Sequence, residues 1–270
     1  MLLVHLTDLH FGCEDQAALK AAAAYIADNG ADAVIVTGDL SRDGLAEELN
    51  AACAWMRDLP APVIVTPGNH DVPYYNPIGR VFYPWTRFRK AAHGLRTEPW
   101  HTQDWSIVPV NTARGVQLRF NWAQGAIAGR QVTGAAGELE RTAPGALRIF
   151  ISHHPLDWPN DAPIHGATIG GLAALDRLVQ AGYDLFLSGH LHFASARMIG
   201  KSALSVTSGT LSQRLRHEPC AFTAIRRLEP NIIETEVVYI VQGAPETASK
   251  RRFQLEKPAP AAPATVRARA

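Results

Sequence analysis

The first 71 residues restrict the fold more than any other feature of the chain. Three short apolar, β-branched runs, 2–6 (LLVHL), 33–37 (AVIVT) and 63–66 (VIVT), each stop at polar residues. The stops are Thr7-Asp8-Leu9-His10, Gly38-Asp39 and Pro67-Gly68-Asn69-His70-Asp71. Such runs read as strands buried on both faces, and Pro-Gly after the third forces a turn. Residues 15–29 are rich in strong helix formers and end at Gly30, while residues 43–59 place Leu45, Leu49, Ala52 and Met56 near helical spacing. This order predicts βαβαβ with a largely parallel sheet, which gathers side chains at the carboxyl ends of its strands.

The alternation resumes further on. Residues 106–111, 147–152 and 183–188 read as strands, and 129–141 and 170–181 as helices. The last two of these strands end in His153-His154-Pro155 and Gly189-His190-Leu191-His192. Beyond them, 194–199, 203–207, 220–228 and 232–240 read as antiparallel strands. Residues 73–105 break the rhythm, mixing Tyr74, Tyr75, Phe82, Tyr83, Trp85, Phe88, Trp100 and Trp105 with Arg80, Arg87, Arg89, Lys90 and Arg96, and read as a cap inserted over a site. From 243 onward Pro, Ala, Lys and Arg dominate. That composition predicts a folded domain over 1–242 and a disordered tail over 243–270.

Composition narrows the function classes. A hydrophobic fraction of 47% with 19% charged residues suits a protein with a sizeable core, and a net charge of +1 gives no signal for bulk nucleic-acid binding. Cys13, Cys53 and Cys220 form no CxxC pair, which argues against a disulfide framework or a thiolate zinc site. The opening MLLVHLTDLH turns polar too early for a signal peptide, and no apolar run approaches a membrane span. The expectation is a cytoplasmic enzyme.

Five strand ends carry Asp8 with His10, Asp39, Asn69, His153, and His190 with His192. A single DxH, GD or HxH is weak. Seven oxygen and nitrogen ligands without a thiolate suit two divalent or mixed-valence ions such as Mn, Fe or Zn. The ordered blocks DLH, GDL, GNHD, HHP and GHLH, spread over residues 1–240, resemble the calcineurin-like metallophosphoesterases. The compact GDLSRDG block is most similar to the small bacterial class III cyclic-nucleotide phosphodiesterases.

The resemblance implies an α/β, four-layer sandwich of two mixed β-sheets flanked by helices. It implies one ion held by Asp8, His10 and His192, and another by Asn69, His153 and His190, with Asp39 bridging. It implies in-line attack on a small phosphodiester by a metal-bridging hydroxide, a 3′,5′-cyclic nucleotide being the leading substrate, with His70 protonating the leaving oxygen. Rival readings are a phospholipid-headgroup or nucleotide-sugar diesterase, a phosphomonoesterase, a DNA nuclease and a metal-free scaffold. The family pattern places the ligand two residues before Pro155, which selects His153 and leaves His154 to support it or face substrate. Asp71 is expected to orient His70 or another imidazole, or to cap the turn after Gly68.

Residues 74–105 would hold an organic group on the phosphate, dock on an anionic membrane surface, or simply pack as a connector. The C-terminal strands could lend an edge to a second copy of the chain, leaving a homo-oligomer open. His5 reads as a satisfied core histidine, Cys13, close after His10, as a packing residue rather than a ligand, and His93, His101, His165 and His217 lack ligand spacing.

Overall fold

A computed structural model of the chain describes residues 1–116 and 123–256. The expected βαβαβ opening is present as β1 (Leu2–Leu6), α1 (Gln16–Asn29), β2 (Ala33–Thr37), α2 (Ala46–Arg57) and β3 (Val63–Thr66). Asp15 caps α1 by accepting from Ala18 N, and Gly30 ends it in the left-handed conformation at φ 60°. α2 starts three residues later than its apolar spacing suggests. Gly44 is left-handed at φ 66°, and a Cβ there would lie 1.9 Å from Val72 O, so 43–45 form a turn instead. Glu48 then accepts from the Asp43 and Leu45 amides.

After α3 (Pro77–Phe82) and α4 (Thr86–Ala91) come β4 (Trp100–His101), β5 (Trp105–Pro109), α5 (Gly129–Glu138), β6 (Leu147–Ile151), α6 (Gly171–Ala181) and β7 (Leu185–Ser188). A run of strands closes the chain: β8 (Ser195–Ile199), β9 (Ala203–Thr207), β10 (Ala221–Glu229), β11 (Ile232–Val241) and β12 (Ala244–Gln254). They form two mixed sheets, ordered β12-β11-β10-β1-β2-β3 and β4-β5-β6-β7-β9-β8. Alternation within the strands sorts three cores. Leu3, Ile35, Ile64, Ile107, Ile149 and Leu187 fill the space between the sheets. Val4, Leu6, Val36 and Val65 meet α1 and α2 on one outer face, while Val108, Phe150 and Phe186 meet α5 and α6 on the other. The result is helix, sheet, sheet, helix, the four-layer α/β arrangement that the motifs imply.

Three expectations need correction. Residues 244–254 are not a tail but β12, paired antiparallel along β11 with Phe253 and Leu255 buried between the sheets. Its Lys and Arg are ion-pair partners, Lys250 and Arg252 lying 3.2 and 2.8 Å from Glu234 of β11. The rest of the expected tail, 257–270, lies outside the described residues. β9 is antiparallel to β8 but parallel to β7, so it belongs to the interior of the second sheet.

The stretch 73–105 is not one cap. Phe88 and Ala91 of α4 pack in the core, the Arg96 backbone bonds with β3 through Val63 O and Val65 N, and Trp100 and Trp105 pack edge to face. Its first half differs. Tyr75, Ile78, Phe82 and Tyr83 are between 65% and 72% exposed.

Candidate metal centre

The seven strand-end residues converge because the backbone is forced to turn there. Among the described residues six non-glycines have positive φ, and five of them are Asp8, His10, Asp39, His190 and His192. Left-handed backbone disfavours residues with a Cβ and is retained where the surroundings over-determine it. Here bonds between turns do so, with Asp8 N donating to Gly38 O, His10 N to Asp39 O, and Gly189 N to His153 O. Gly68 has no side chain to spare, since a Cβ there would sit 2.1 Å from Asp39 Oδ1.

Each carboxylate has one anchored oxygen and one that faces inward. Asp8 Oδ2 accepts from Thr7 Oγ1 and His190 N at 2.7 and 2.8 Å, while buried Oδ1 faces His192 Nε2 at 3.1 Å and, among the described residues, makes no well-aligned hydrogen bond. Asp39 Oδ1 accepts from His70 N at 2.7 Å, leaving Oδ2 at 3.3 Å from His153 Nε2 and 3.9 Å from His10 Nε2. Burial alone would raise both pKa values, but the imidazoles beside them, His192 for Asp8 and His153 for Asp39, hold both carboxyls below the usual range.

The imidazoles are oriented the same way. His10 Nδ1 donates to Ser41 O at 3.3 Å, His192 Nδ1 to Arg214 O at 2.6 Å and His153 Nδ1 to Thr37 O at 2.8 Å. A carbonyl only accepts, so each Nδ1 carries its hydrogen and each Nε2 faces inward. Yet His10 Nε2 and His192 Nε2 lie 3.2 Å apart, and His153 Nε2 lies 3.1 Å from Asn69 Oδ1. Facing lone pairs repel unless a cation or proton sits between them. Burial opposes a proton on His153, but Asp39 outweighs it and raises the pKa to about 9. Burial lowers His10 and His190 to about 3, so these rings stay neutral. Ligand atoms of Asp8, His10 and His192 lie within 4.8 Å of one another, as do those of Asp8, Asp39 and His153. This donor set fits bound cations.

His154 falls with His153 and His190 in a third such group, but both of its nitrogens are already engaged. Nδ1 meets Thr112 Oγ1 and Nε2 donates to Ala123 O, each at 2.9 Å. It therefore supports the His190 ring from behind, at a centroid distance of 4.6 Å. Among the described residues Asp71 makes no hydrogen bond to an imidazole. Its carboxylate accepts from Ser41 N and Oγ and from Gly68 N, tying the Asp39 turn to the Asn69 turn, which is the capping alternative. Burial and then Asp39 push its pKa up to about 7. His5 is buried between the sheets with Nε2 on Thr37 Oγ1, but Nδ1 has no partner, so it is only half satisfied. His101 bridges Ser106 and Glu138, away from the centre.

His70 lies at the open edge. Nδ1 donates to Arg42 O at 2.6 Å, and Nε2 accepts from Arg214 Nη1 at 3.1 Å. Its ring stacks on Tyr74 at 6.1 Å and 11°, with the Arg80 guanidinium 5.2 Å from the Tyr74 centroid. Tyr74, Pro77, Arg80 and Val81 line a cavity of about 340 Å³ beside it. Arg214 had no place in the motif reading. The one trace of it in the sequence is Arg214-Leu215-Arg216, two cations at alternate positions in the loop before β10.

A helix–sheet–sheet–helix α/β fold with aspartates, histidines and one asparagine gathered at its strand ends defines a metal-binding protein of the phosphoesterase type. The chain belongs to the calcineurin-like phosphoesterase family, whose model matches residues 1–194. It is 34% identical over 80 residues to a protein from Synechococcus described as a probable cyclic nucleotide phosphodiesterase, a match covering 26% of this chain and 31% of that protein. In fold it is similar to a dimetal phosphatase from Danio rerio, with a TM-score of 0.67, 13% identity, and 95% and 99% of the two chains covered. A purple acid phosphatase from yellow lupin gives a TM-score of 0.68 at 13% identity, over 95% of this chain and 54% of that one. No helix among the described residues is long and apolar enough to cross a membrane.

Proposed function

We propose that the chain is a metal-dependent hydrolase of small phosphoric diesters. Asp8, His10 and His192 would hold one ion and Asn69, His153 and His190 the other, with Asp39 shared. The observation that carries the reading is the facing Nε2 pair of His10 and His192 at 3.2 Å, each ring locked by a carbonyl on its Nδ1. Mn, Fe and Zn all accept this oxygen and nitrogen set. When bound, such a pair lowers the pKa of water and neutralises charge on phosphoryl oxygens.

The protein groups around the centre do the rest. Asn69 ligates without adding negative charge, which keeps the site attractive to an anion. His70 marks the leaving-group side. With Arg214 donating to Nε2, His70 has no hydrogen there to give, so protonating an alkoxide would require the guanidinium to withdraw. Tyr74, stacked on His70 and backed by Arg80, offers a flat surface for the organic part of the ester. The similarity to the Synechococcus protein supports a cyclic nucleotide as one such diester.

The test is a substrate panel in defined Mn, Fe and Zn. Bis(p-nitrophenyl) phosphate, p-nitrophenyl phosphate, a 3′,5′-cyclic nucleotide and a nucleotide sugar are compared on protein of measured metal content. Diester turnover is expected to exceed monoester turnover, with KM for the nucleotides raised in Tyr74→Ala. Protein that holds two ions per chain and turns over no diester would overturn the proposal.

A further inference from the structure

The rim of the centre carries an apolar face that the fold leaves uncovered. Ten large apolar side chains are exposed among the described residues, and six of them, Tyr74, Tyr75, Ile78, Val81, Phe82 and Tyr83, fall in one short stretch. Scattered singly such residues are ordinary, but gathered in one patch they mark a contact. Ile78, Val81 and Phe82 stand at helical spacing on α3, while Arg80 of the same helix is buried. The exposure is built in. Asn76 caps α3 by accepting from Gly79 N at 2.8 Å, and Arg80 Nε donates to Gly115 O at 2.9 Å. Gly115 permits that approach, since a Cβ there would lie 2.6 Å from Pro84 Cβ and 2.7 Å from Arg80 O. At its inner end the patch meets the site, where the Tyr74 ring stacks on His70 at 6.1 Å. The charge along this segment has one sign. No acidic residue occurs between Asp71 and Glu98, whereas Arg80, Arg87, Arg89, Lys90 and Arg96 do. Phe88 and Ala91 turn α4 onto the core, which leaves Arg89 and Lys90 exposed.

We propose that α3 and its flanking tyrosines dock on an anionic lipid bilayer, with Arg89 and Lys90 at the headgroups. Apolar side chains enter the headgroup boundary, tyrosines keep the ring inside and the hydroxyl in water, and basic residues are drawn to anionic lipid. α3 has six residues, so it lies in the surface and does not cross it. Charge decides against the other apolar occupant, a second copy of the chain. A two-fold contact through this face would set its basic flank against the same flank of the other copy, whereas an anionic surface neutralises it. Docked this way, the protein holds the His70 edge of the centre beside the bilayer, because Tyr74 joins the patch to His70. The docking is independent of which ester the centre hydrolyses.

The chain is sedimented with vesicles of phosphatidylcholine containing phosphatidylglycerol, and with vesicles of phosphatidylcholine alone. Wild type is compared with the double variants Ile78→Asp/Phe82→Asp and Arg89→Glu/Lys90→Glu at matched melting temperature. All four side chains are exposed and stand outside the metal centre, so turnover of bis(p-nitrophenyl) phosphate without vesicles should be the same in the three proteins. Wild type is expected to bind the anionic vesicles, more weakly as salt is raised, and each double variant to bind them about tenfold or more weaker. A wild type that does not bind the anionic vesicles at low salt, or that binds both vesicle types alike, would overturn the docking. So would either double variant binding as wild type does. A dimer in sedimentation velocity that Ile78→Asp/Phe82→Asp dissociates, with no vesicle binding, would give the face to a second copy and overturn the docking as well.

Discussion

Gly68→Ala tests whether the strand-end turns are as tightly coupled as their geometry requires. A Cβ on Gly68 would stand 2.1 Å from Asp39 Oδ1 and 2.3 Å from Asp39 N, where ordinary contact begins at 3.4 Å. Something must therefore move by about 1.3 Å, the difference between 3.4 and 2.1. The opposite direction is closed, because Gly38 packs on the same turn and its own Cβ position lies 2.6 Å from Gly68 N. Asp71 adds a tether by accepting from Gly68 N at 2.8 Å. The group that gives is Asp39, whose Oδ2 is the oxygen shared between His10 and His153. A displacement near 1 Å at a reacting centre costs about a hundredfold in rate. Gly68→Ala should thus lose bound metal, read by elemental analysis, and at least about a hundredfold in kcat/KM on bis(p-nitrophenyl) phosphate. Gly134→Ala is the control. Gly134 is exposed within α5 with nothing within 4 Å of its Cβ position, so alanine there should stabilise by about 0.5–1 kcal/mol and leave turnover alone. A Gly68→Ala protein with full metal content and wild-type kcat/KM would refute the reasoning.

The other expectations follow from single observations. Ending the chain at residue 243 removes β12 and with it the buried Phe253 and Leu255, a loss of about 3–6 kcal/mol that should lower the melting temperature markedly; a truncated protein of unchanged stability would show that β12 is not part of the fold. Asp39 Oδ2 lies near both His10 and His153 whereas Asn69 Oδ1 meets only His153, so on the proposed ligand assignment Asp39→Ala should empty the centre more completely than Asn69→Ala by elemental analysis. His5 is held neutral, its pKa lowered by burial from 6.5 to about 3 against the pull of Asp8. The unfolded chain therefore binds the extra proton in that window, and the stability His5 contributes is complete above 6.5 and lost as pH falls towards 3. His5→Gln should flatten the rise of denaturation midpoint with pH over this range, and an unchanged slope would count against it.

What could be read from the chain alone was chemistry carried by residue type. Asp8, His10, Asp39, Asn69, His153, His190 and His192 follow apolar runs, and a strand that stops at a residue type able to ligate metal can be recognised without knowing its neighbours. What could not be read was chemistry carried by position. The left-handed backbone at five of those residues has no glycine to announce it, because it is imposed by bonds to other turns. β12 looked like a tail since its Lys250 and Arg252 suggest solvation until Glu234 is seen opposite them in the register. Asp71 left two readings open, an imidazole partner or a turn cap, and only the fold brings it the Ser41 and Gly68 amides with the Ser41 hydroxyl.

Arg214 is the extreme case. It meets His70 across 144 positions of sequence, and only because Thr210 hangs its loop from Asp8 O. Metal-ligating residue types announce themselves at strand ends, whereas an arginine placed by a loop carries no such local signal. The residue types that suit a metal centre were therefore legible early, whereas Arg214 at the edge of that centre became visible only when the turns closed around it.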